Sequence, residues 1–138
     1  MIQRIQTVFL LLAAVASGLV IYISFPFDLT AGLSSWLLPA TLVIALVVGA
    51  GAVFAIFLYG ARVRQRNVVV ILQYVALIFV LAAFLSVILT SKQQQLATLD
   101  LTTWAFVVLP VVVYLLISMS RRGIDRDIKL IRSMDRIR

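Results

Sequence analysis

The sequence contains no cysteine and no histidine. That excludes disulfides and thiolate chemistry, along with the usual ligands of zinc, haem and iron–sulfur clusters. Charge is scarce too. Asp, Glu, Lys and Arg make up 12% of the 138 residues, where soluble domains carry about 25%. Hydrophobic residues reach 64%, against roughly 45–50% in soluble domains. One domain of this length cannot bury so much apolar surface in water, so lipid is the expected solvent.

The scarcity of charge is patterned. Residues 5–27, 29–61, 67–91 and 101–120 form four uncharged runs. A spanning helix needs ~20 mostly apolar residues, so each run holds one. The second run is longer than a span requires. Its first part, 29–34, reads as loop, with Ser34 or Ser35 as cap and Pro39 in the first turn. Spans are predicted near 6–26, 35–60, 68–91 and 101–120. Arg4 followed by Ala14-Val15-Ala16 resembles a signal peptide with its cleavage site. The apolar run continues well past Ala16, so a retained span is expected instead.

No Asp, Glu, Lys, Arg or His lies within these runs, and pumps, proton relays and voltage sensors depend on such residues. There is no facing carboxylate pair and no nucleophile with a base beside it. Catalysis, a metal site and a cofactor are therefore not expected. The net charge of +7 does not indicate nucleic acid, because the basic residues sit in short stretches between apolar runs rather than on a soluble face.

Orientation follows from the Lys/Arg bias. Arg4 precedes the first run and Arg62, Arg64 and Arg66 separate the second from the third. Arg121, Arg122, Arg126, Lys129, Arg132, Arg136 and Arg138 follow the fourth. Only Lys92 lies on the other side, in a loop containing Gln93-Gln94-Gln95. This predicts four crossings of an inner membrane with both termini cytoplasmic. Trp36 and Trp104 fall at the outer boundary, where indole rings favour headgroups.

Small and weakly polar residues mark close helix approach in membranes. They recur at helical spacing in every run: Gln6, Ala13, Ser17 and Ser24; Thr41, Ala45, Gly49 and Ala52; Gln73, Ala76, Ala83 and Thr90; Thr103, Pro110, Tyr114 and Ser118. With these stripes inward, the expected fold is an all-α integral membrane protein, an up-down bundle of four transmembrane helices over residues 1–120. Pro110 reads as a hinge or pocket wall, or as an ordinary kink. Gln73 reads as a quinone or ion ligand, or as a hydrogen bond between helices. The structural reading is expected in both cases.

Residues 121–138 differ from the rest. Ile124, Ile128, Leu130, Ile131, Met134 and Ile137 occupy one half of a helical wheel. Arg121, Arg122, Arg126, Lys129, Arg132 and Arg136 fill most of the other, with Asp125 placed to pair with Arg121 and Lys129. The pattern predicts a separate amphipathic cytoplasmic helix after a bend at Gly123. Three roles fit it. It lies flat on the anionic inner leaflet, or docks on a partner protein, or serves as a stop-transfer flank.

The two ends of the chain carry a resemblance. The opening Met1-Ile2-Gln3-Arg4-Ile5-Gln6-Thr7 runs directly into Leu10-Leu11-Leu12-Ala13. The close is Ile131-Arg132-Ser133-Met134-Asp135-Arg136-Ile137-Arg138. Both resemble a family of small Bacteroidota membrane proteins catalogued as domain of unknown function 4293. The resemblance implies a four-span inner-membrane protein and brings no activity, substrate or catalytic residues. The functional expectation is a non-catalytic accessory subunit packed against other integral membrane subunits, its tail touching anionic lipid or a partner. The alternative is a small carrier for a lipid or quinone, with a pocket near Pro110, Tyr114 and Gln73.

Overall fold

The computed structural model describes residues 2–24, 36–93 and 101–135. They form four α-helices: α1 (Ile2–Ser24), α2 (Leu37–Phe57), α3 (Arg62–Gln93) and α4 (Leu101–Asp135). A 3-10 turn, Leu58–Gly60, joins α2 to α3. Its reversal is closed by Ala61 N donating to Leu58 O at 3.0 Å, and Gln65 N to Ala61 O at 2.9 Å starts the next helix. Trp36 precedes α2 with no side-chain cap, and Pro39 stands in the first turn, where a missing N–H costs nothing. The expected caps Ser34 and Ser35 lie outside the described residues, as do Gln94 and Gln95, whereas Lys92 and Gln93, expected in the outer loop, form the end of α3.

The helices differ from the expected spans at their charged ends. Arg62, Arg64 and Arg66, expected in a loop, occupy the first turns of α3. The bend expected at Gly123 is absent, because α4 continues through it to Asp135. The reason is physical. Charge keeps a segment out of hydrocarbon but not out of a helix, and Arg is a good helix former. The 35 residues of α4 span ~52 Å at ~1.5 Å per residue, well beyond the ~30 Å of a hydrocarbon core. The helix also runs without interruption past Pro110.

Each helix packs on two others, α1 and α3 both against α2 and α4, which closes a four-helix bundle. Side-chain pairs set the register. The start of α1 lies beside the end of α4, through Gln6 and Asp127. The start of α2 lies beside the end of α3, through Thr41 and Ser86, whose hydroxyl oxygens are 3.2 Å apart. The core has two parts. Val20, Ala45, Phe79, Ala83 and Phe106 fill one end. A larger cluster around Leu10, Ala52, Leu72, Ala76, Val113 and Ile117 fills the rest. Alanine is prominent in both, so the backbones approach closely and dispersion contacts replace large side chains.

The outside is apolar. Val43, Leu46, Ile71, Leu81 and Phe57 are all exposed. Water-soluble monomers rarely display such extensive apolar surface. Residues Ile5–Ser24, Leu37–Phe57, Arg62–Leu89 and Leu101–Ile131 are each long and apolar enough to cross a membrane. Four such helices in one chain are the signature of a multi-pass membrane protein. Trp36 and Trp104, both more than half exposed, sit beside the Phe79–Phe106 end of the bundle.

Candidate functional site

Polar side chains gather at the other end, where α1 begins, α2 hands over to α3, and α4 leaves its apolar stretch. Gln6 is buried between α1 and α4. Its Nε2 donates to Asp127 Oδ2 at 2.8 Å, and its backbone carbonyl accepts from Ser120 Oγ at 3.4 Å. Asp127 is itself buried. Gly123 makes this approach possible. A Cβ there would lie 2.8 Å from Gln6 Cγ and 3.1 Å from Gln6 Nε2. The glycine is a notch for a crossing side chain rather than a bend.

A second network joins α3 to α4. Gln73 Nε2 donates to Ser118 Oγ at 3.0 Å and to Tyr114 Oη at 3.4 Å. Its Oε1 accepts from Arg121 Nη1 at 2.8 Å. Arg66 Nε donates to Asp125 Oδ1 at 2.6 Å, while Arg121 Nε lies 3.9 Å from Asp125 Oδ2. Asp125 thus takes its main partner from α3, where the sequence pattern pointed to Arg121 and Lys129 on its own helix. Lys129 is exposed. Nearby, Gln65 Nε2 donates to Ala55 O at 3.1 Å, satisfying one of the carbonyls left over at the end of α2.

The Arg66–Asp125 pair is 42% and 32% exposed on its two side chains, so water screens it. Arg66→Ala is expected to cost no more than about 1 kcal/mol in thermal unfolding. Arg121 remains near enough to hold Asp125 in the variant.

The inward stripes are accounted for residue by residue. Ala13, Ser17, Ala45, Ala52, Ala76 and Ala83 are fully buried, and so is Pro110. Gly49, Gln73 and Tyr114 are partly buried. Gly49 faces Ser17, and a Cβ at Gly49 would stand 2.7 Å from Ser17 Oγ. The side chain of Thr90 is outside the described residues. In the tail, Arg122, Arg126 and Lys129 are exposed, whereas Arg121 turns inward to Gln73. The side chain of Arg132 and all of Arg136 lie outside the described residues. A tail lying flat on a leaflet does not fit its first two turns. Ile124 is buried, Ile128 packs on the core, and Asp127 is tied to α1.

Chemically the arrangement is closed. Among the described residues, no buried side-chain nitrogen or oxygen lacks a hydrogen-bond partner. No group of three or more acidic side chains is placed there to hold a metal ion. The buried polar groups of this end tie the helices together, and among the described residues none of them is left unmet.

Residues 2–137 match the model of a family described as a domain of unknown function (DUF4293). The chain belongs to this family. No curated protein and no solved structure matches it. The DUF4293 match covers both the bundle and the end of α4. Gln6, Gly123 and Asp127, the residues that join its two extremes, all fall inside it.

Sequence reasoning did not single out Gln65, Asp127 or the true role of Gly123. One signal was available for Asp127. Asp125 and Asp127 are two of only five acidic residues in the chain, spaced two apart on a helix and therefore pointing to different neighbours.

Proposed function

We propose that this DUF4293 protein is a non-catalytic accessory subunit of a larger inner-membrane complex. It crosses the membrane four times in an up-down arrangement, with both termini cytoplasmic. The observation that carries this reading is where the polar groups go. Gln73, Tyr114, Ser118 and Arg121 satisfy one another, while the outer faces of all four helices are apolar along their hydrophobic stretches. A protein with its polar side chains turned to its own helices and its apolar ones turned outward is built to be packed against.

Several features support the orientation. Arg62, Arg64 and Arg66 on α3 come to the same end as Arg121, Arg122, Arg126 and Lys129 on α4. Cytoplasmic ends carry such a surplus. The exposed end of α4 is available to anionic lipid or to a neighbouring subunit. The carrier reading is less well supported, since Gln73 and Tyr114, which would orient an apolar ligand, are bonded to each other.

The test is gentle solubilisation of native membranes followed by native sizing with crosslinking. The protein is expected to run well above its monomer mass with defined membrane subunits attached. Migration as a lone monomer, with no crosslinked neighbour, would contradict the reading.

A further inference from the structure

The geometry points to an anionic phospholipid headgroup site on the outward face of α4, formed by Arg122 and Arg126 with Lys129 beyond them. It deepens the reading above and rests only on its premise that α4 crosses the bilayer.

Two independent observations carry it. The first is a change of chemistry along one face. Val111, Leu115 and Met119 are exposed on α4 within its apolar stretch. Continuing at the same spacing of three and four, the next exposed positions are Arg122, Arg126 and Lys129. The face that meets hydrocarbon therefore becomes cationic within one turn. Arg122 and Arg126 are ~6 Å apart along the axis at ~1.5 Å per residue, which matches the roughly 5–7 Å of headgroup layer on each side of a bilayer. A lipid whose chains lie along Leu115 and Met119 would place its phosphate beside Arg122.

The second is a segregation of charge. Asp125 and Asp127 turn into the bundle, to Arg66 and to Gln6. Arg122, Arg126 and Lys129 face outward and, among the described residues, take part in no ion pair. An uncompensated pair of guanidinium forks at headgroup depth suits a phosphodiester, which accepts two parallel N–H bonds from each. The site is a stripe running up the side of a standing helix, not the underside of a helix lying flat.

The full-length protein is reconstituted in bilayers of phosphatidylglycerol and phosphatidylcholine, then released in mild detergent. Native mass spectrometry counts the lipids retained. Phosphatidylglycerol is expected to be enriched over the input ratio by about fivefold per basic residue engaged. The enrichment falls towards the input ratio in Arg122→Gln/Arg126→Gln and further with Lys129→Gln. These exposed changes leave the buried network in place. Lys92→Gln, which lowers net charge elsewhere in the chain, is expected to leave the enrichment unchanged.

Three results would overturn the site: no preference in the wild type, equal loss in Lys92→Gln, or displacement of the retained lipid by inorganic phosphate alone. Failure of the protein to enter the bilayer would sink the membrane premise and this site together. A lone monomer on native sizing would remove the accessory-subunit reading and leave the lipid site standing.

Discussion

Gly49→Leu is expected to lower stability by about 2–3 kcal/mol, through overpacking between α1 and α2. A Cβ at Gly49 already falls 2.7 Å from Ser17 Oγ and 3.8 Å from Ala14 O. Ser17 cannot yield freely, because its hydroxyl donates to Ala14 O at 2.9 Å and its side chain is fully buried. The larger side chain must push α1 outward, which also strips contacts from Ala13 and Ala52. Helix propensity works the other way, since replacing glycine recovers up to ~1 kcal/mol. That sets the control. Gly18 is exposed, and a Cβ there would meet nothing within 4 Å. Gly18→Leu is expected to be neutral or slightly stabilising. Thermal unfolding in one mild detergent separates the two variants. Equal behaviour at Gly18 and Gly49 would contradict the described packing of α1 on α2.

The second large effect lies at the polar end. Gln6→Leu removes the donor that Asp127 uses while leaving Asp127 buried. The expected cost is about 2–3 kcal/mol, since an unsatisfied buried acceptor loses its full desolvation compensation. Asp127→Leu strands the Gln6 amide in the same way and costs about 1–3 kcal/mol. The double variant, apolar on both sides, should cost clearly less than the two singles together. Coupling of this kind belongs to groups in direct contact. Additive losses would mean that the two residues do not act on each other. Gly123→Ala probes the same junction from its third side, because the new Cβ would press on Gln6. Its loss should largely disappear in a Gln6→Ala background.

The plan of four long apolar helices was legible because hydrocarbon discriminates sharply against charge, so uncharged runs of sufficient length declare themselves. Helix ends were not legible by the same rule. Arg62, Arg64 and Arg66 interrupt an apolar run yet continue a helix, and Gly123 looks like a hinge in isolation. Its role appears only once Gln6 crosses it from α1, which depends on the register of two helices more than a hundred residues apart. Asp125 shows the same limit. Its neighbours on one helix, Arg121 and Lys129, can be read from spacing, but Arg66 reaches it from α3. At the polar end, the residue types were visible in the chain. Which of them meet was decided by packing of the alanine-rich interior.

The absence of cysteine makes the central claim directly testable, since single cysteines can be introduced with no native background. Ser133, Gly60 and Thr102 are exposed positions near the end of α4, between α2 and α3, and at the start of α4. Each is changed to Cys in turn and labelled with a membrane-impermeant maleimide, in intact spheroplasts and after rupture. Thr102→Cys is expected to label in intact spheroplasts. Ser133→Cys and Gly60→Cys are expected to label only after rupture, which places the α2–α3 turn and the end of α4 together on the cytoplasmic side. Labelling of Ser133→Cys from outside, or of Gly60 and Ser133 from opposite sides, would contradict the account.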